Sequence, residues 1–80
     1  MWTLSEIRAI GDDTYALLFL TAEAVEQAVR CRYVVHNDIE AVRPDPDVFM
    51  AGQVPSRQVS AAVIAFHHAR LAATSRADSD

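Results

Sequence analysis

Apolar positions crowd the stretch from Thr14 to His36, TYALLFLTAEAVEQAVRCRYVVH. Wound at about 100° per residue, this segment gathers Glu23, Glu26, Gln27 and Arg30 into one narrow wedge and leaves the rest of the circumference apolar. One stripe carries Tyr15, Leu18, Ala22, Val25, Val29 and His36, and a second carries Leu17, Ala24, Ala28, Cys31 and Val35. The pattern predicts a central helix covered from two directions, by the rest of the chain or by another chain. Aromatic and β-branched residues in the same stretch support an alternative, an α/β fold with short strands at 15–20 and 31–36 and Thr21 capping a shorter helix between them.

Punctuation supplies the other elements. Thr3-Leu4-Ser5-Glu6 has the form of a capping box and Gly11 suits a helix C-terminus, which predicts a first helix over Leu4–Ile10. Residues 38–44 allow at most one helical turn before Pro44. Asp45-Pro46-Asp47, an apolar Val48-Phe49-Met50 and Gly52 stand in the order of a short helix. Pro55-Ser56 opens a last helix, Arg57 to Thr74, with Val59, Ala62, Val63, Phe66 and Ala73 as its core stripe and Ala61, Ala65, Ala69 and Ala73 as a ridge of small residues. The expected fold is all-α: three main helices and a short fourth in one domain over 1–74, with a frayed polar tail over 75–80.

Length sharpens this picture, because a chain of 80 residues buries only about 60% of its unfolded surface and gains from self-association. A net charge of −4, with every basic residue an arginine, argues against nucleic acid and anionic membranes as partners. The lone Cys31 excludes an internal disulfide, the N-terminus has no secretion-signal pattern, and the apolar run Tyr15–Leu20 is too short to span a membrane. A cytoplasmic location is expected.

Chemistry-bearing residues are sparse. His67 and His68 are adjacent, so on a helix they point about 100° apart and cannot clamp a metal from one face. Cys31 falls in an apolar stripe, as a buried structural thiol does. Asp38, Glu40, Asp45 and Asp47 alternate as calcium ligands do, without the glycine and glutamate of an EF-hand loop. Trp2–Gly11 resembles the first helix of MerR-type and excisionase-type DNA-binding domains. That resemblance implies a helix-turn-helix-like regulator, and it ends at Gly11, where acidic and then apolar residues replace an Arg-rich recognition helix.

These observations lead to a non-enzymatic protein–protein interaction module, an acidic inhibitor, adaptor or accessory subunit without cofactor or metal. It is expected to act as a homodimer or on a larger protein. The expected contact residues are Ile64, His67, His68 and Leu71 on the last helix, with Asp38, Glu40, Asp45 and Asp47 in the acidic loop. A DNA-binding regulator and a small metal- or ligand-binding enzyme are the alternatives.

Overall fold

Tyr15, Leu17 and Phe19 are completely buried while Ala16 and Leu18 between them are only partly so. That period of two belongs to a strand, since on a helix Leu17 and Phe19 would point to opposite sides. The computed structural model, which describes residues 1–45 and 47–78, is an antiparallel sheet with one helix across it. β1 (Thr3–Ala9), β2 (Thr14–Leu20), β3 (Glu26–His36) and β4 (Ile39–Asp45) pair in chain order, and α1 (Ser56–Asp78) follows.

The all-α bundle is therefore corrected to a mostly β fold with a single helix. The expected first helix is β1, the expected central helix is the β2–β3 hairpin, and residues 38–44 lie in β4. The alternative strands at 15–20 and 31–36 fall within β2 and β3, and no helix forms between them. Thr21, read as a helix cap, instead closes the hairpin. Its N–H donates to Val25 O at 3.0 Å, its carbonyl accepts from Ala24 at 3.0 Å, and its Oγ1 accepts from Val25 N at 3.2 Å. Ala24 turns the chain in the left-handed region at φ 61°, a conformation that costs an L-residue about 1–2 kcal/mol.

The β3–β4 hairpin turns on Asn37 and Asp38, with φ of 51° and 63°, the paired positive angles of a two-residue loop whose twist matches that of the strands. Residues 48–52 form turns rather than a helix, and Asp47 Oδ1 still caps the segment by accepting from Met50 N at 3.1 Å. Pro46 and residues 79–80 lie outside the described residues, so the proposed first-turn proline and the end of the expected tail do too. The last helix forms as its spacing predicts and runs on to Asp78.

Helix α1 lies on one face of the sheet. Val59, Val63 and His67, four residues apart, meet Tyr15, Leu17, Phe19, Val29, Cys31 and Val42, with Val48 and Val54 closing one end. The Trp2 ring packs at 6.0 Å from Phe19, and the Trp2 backbone N–H donates to Gln53 O at 2.8 Å, which ties the N-terminal segment to the loop before α1. No helix among the described residues is long and apolar enough to cross a membrane.

Candidate functional site

Two places concentrate polar side chains: the seam between α1 and the sheet, and the sheet face that α1 leaves open. In the seam, alternation in β2 turns Tyr15 inward, and the spacing along α1 sets His67 above it. The Tyr15 hydroxyl lies 2.5 Å from His67 Nδ1 and accepts from Arg70 at 3.0 Å. Its own proton is thereby free to go to Nδ1, which makes neutral His67 the Nε2–H tautomer. Arg70 also donates to the carbonyls of Gly11 at 3.1 Å and Asp12 at 3.4 Å, fastening the β1–β2 turn to the helix. Its guanidinium sits 5.4 Å from the centre of the Tyr15 ring.

The imidazole of His67 stacks on Tyr33 at 3.9 Å and 17°. Beyond it, Glu40 accepts from the Tyr33 hydroxyl and from His68 Nε2, the latter at 2.5 Å. These two hydrogen bonds hold the Glu40 carboxyl below its ordinary range. The same bond from Tyr33, helped by partial burial and the carboxylate charge, pushes the phenol up to about 12. Cys31, inward-facing on β3, is pushed up to about 11 by burial alone and stays a thiol at neutral pH. Among the described residues no buried side-chain nitrogen or oxygen lacks a hydrogen-bond partner, and no three His, Cys, Asp or Glu side chains converge as metal ligands.

The open face is read from the strand register in rows. Arg8, Ala16, Arg30 and Asp45 form one row across all four strands, because each is the register partner of the next. Glu6, Leu18 and Ala28 form the row on one side; Thr14, Arg32 and Arg43 form the row on the other, followed by Val34 with Ala41. Arg8 pairs with Glu6, and Arg32 Nε lies 3.4 Å from Asp13. Arg32 and Arg43 face each other as like charges, an unfavourable cross-strand pair on its own. Together with Arg30, Thr14 and Asp45 they line a shallow depression of about 390 Å³.

The residues singled out from the sequence do not assemble into one surface. Ile64 is half-buried against the core, His67 is 8% exposed, and Leu71 stands 55% exposed further along α1. His68 and Glu40 are joined by their hydrogen bond. Asp38 lies in the β3–β4 turn, Asp45 on the open face opposite Arg30, and Asp47 caps the turn at 48–52. Tyr15, Tyr33, Arg70 and the arginine rows were not anticipated. The alternation Arg30-Cys31-Arg32-Tyr33, polar and apolar by turns, was the available sign of the rows. No family model, curated protein or solved structure matches the chain.

Proposed function

We propose that this protein is a non-enzymatic protein–protein interaction module, of the inhibitor, adaptor or accessory-subunit kind, that docks through the open face of its sheet. The observation that carries the reading is the row of Leu18 and Ala28, with Ala16 beside it and Val34 and Ala41 beyond the arginine rows, on a face over which no described element lies. An antiparallel sheet with one solvated face ordinarily alternates apolar inside and polar outside; here the outside is aliphatic around a central charged band. The edges favour the face over strand addition. β1 carries a register irregularity between Leu4 and Glu6, and β4 carries Pro44, which lacks an N–H. The engagement of His67, Tyr15, Tyr33, Glu40 and His68 with one another supports a structural duty for those groups. A reducing cytoplasm, where the Cys31 thiol stays free, is the compartment that fits this module.

The test is site-specific photocrosslinking in the native cell, with benzoyl-phenylalanine placed either at Ala28 on the open face or at Ala65 on the outer side of α1. Protein adducts are expected from Ala28 and not from Ala65. Adducts from Ala65 alone, or from neither position, overturn the reading.

A further inference from the structure

We infer that the open face receives a second copy of this chain, in a sheet-on-sheet dimer whose two-fold axis runs parallel to the strands between β2 and β3. This rests on the open-face reading above and names its occupant. Such an axis lays each row over its own reverse, so that β1 faces β4 and β2 faces β3 of the second copy. The row Arg8, Ala16, Arg30, Asp45 then sets Arg8 over Asp45 and Arg30 over the small Ala16. The adjoining row sets Leu18 over Ala28. In the third row Thr14 meets Arg32, and Ile10, which continues that row onto the β1 side by donating to Thr14 O at 3.0 Å, meets Arg43.

Arg8 meets the opposite charge of Asp45, and the large Leu18 and Arg30 meet the small Ala28 and Ala16. That is what two sheets packed about 10 Å apart require if their side chains are to interdigitate. The other in-plane two-fold, perpendicular to the strands through the same row, stacks Arg30 on its own copy and Ala16 on Ala16, which repels at one point and leaves a gap at the next. The first axis is therefore the one selected.

The experiment is sedimentation of the full chain over a range of concentrations, comparing wild type with Arg8→Asp, Asp45→Arg and the two combined. Both positions are exposed, and circular dichroism checks that each variant keeps its fold. A wild-type dimer is expected. Each single substitution should weaken association about tenfold or more by placing like charges together, and the swapped pair should return it to within about threefold of wild type. A wild type that remains monomeric at all concentrations overturns the dimer, as do folded single variants that associate normally or a double variant that shows no rescue. The Ala28 photocrosslink separates the two levels. An adduct of twice the chain mass supports self-pairing; an adduct with a different protein alone overturns self-pairing and leaves the open-face reading standing; no adduct overturns both.

Discussion

The two faces of the sheet are made by the same strands from alternate residues, yet they follow different rules. Beneath α1 stand Tyr15, Leu17, Phe19, Val29 and Cys31, all close to zero exposure; on the reverse stand Ala16, Leu18, Ala28, Arg30 and Arg32, mixed in size and charge. The covered face is filled for volume, with each side chain meeting the helix or a neighbouring strand. The open face is arranged by row, with small residues beside large and arginines beside carboxylates. The covered face explains why the chain folds, and the open face is where it has surface left to offer.

The sharpest way to break this contrast is to truncate one large apolar side chain on each face. Phe19→Ala should cost about 3–5 kcal/mol, a large part of the roughly 4–12 kcal/mol that a chain of this length holds, and should leave a largely unfolded protein by thermal melting. Leu18→Ala, one residue away, should cost only about 1 kcal/mol in dilute solution. Comparable losses at the two positions would mean that the open face is buried within the monomer.

The seam gives the next effect in size. Tyr15→Phe removes the oxygen shared by His67 and Arg70 and should lower stability by about 1–3 kcal/mol, because His67 Nδ1 is left buried without its donor. Urea unfolding measures it, and a shift in midpoint without a change in slope is expected.

A smaller effect depends on pH. The folded Glu40 carboxyl titrates below its unfolded value, so its contribution is complete above the ordinary carboxylate range and is lost as pH falls through the depressed folded value. Tyr33 acts in the opposite direction: its contribution is whole below the ordinary phenol value of 10.0 and is lost as pH rises from there towards about 12. Unfolding midpoints followed from neutral pH in both directions should fall at both extremes, and Glu40→Gln should flatten both limbs. A variant whose profile matches wild type would show that these bonds do not persist in solution.

How much of this was legible in the sequence varied from element to element. Helix α1 was, because Pro55-Ser56 marks its start and Val59, Val63 and Phe66 repeat at helical spacing. The β2–β3 hairpin was not, since no glycine or proline interrupts Thr14–His36 and its turn is made by Thr21 and a left-handed Ala24. Leu18 and Leu20 also fill the positions where a half-exposed strand would show polar residues, so the period of two is blurred at the place that mattered most. Asn37-Asp38 was the readable turn, a pair suited to positive φ between two apolar runs. As for the site, the acidic residues were read as one loop although the register sends Asp45 to the open face and Glu40 to the covered one. The contact of Tyr15 with His67 spans 52 positions, and only the placement of α1 on the sheet decides it.

Every strand pairs only with its neighbour in the chain, and that bears on how the molecule comes into being. Hairpins close in about 1–10 μs, whereas a ribosome adding about 5–20 residues per second needs roughly 1–5 s to supply the 23 residues of α1. The nascent meander can thus pair long before its helix arrives to cover Tyr15, Leu17 and Phe19. During those seconds it is a sheet whose core face is uncovered, in a setting where unpaired strand edges recruit other chains. The irregular register of β1 and the proline of β4 then protect the newborn chain as well as the finished one, by denying both outer strands to a neighbour until the helix comes down.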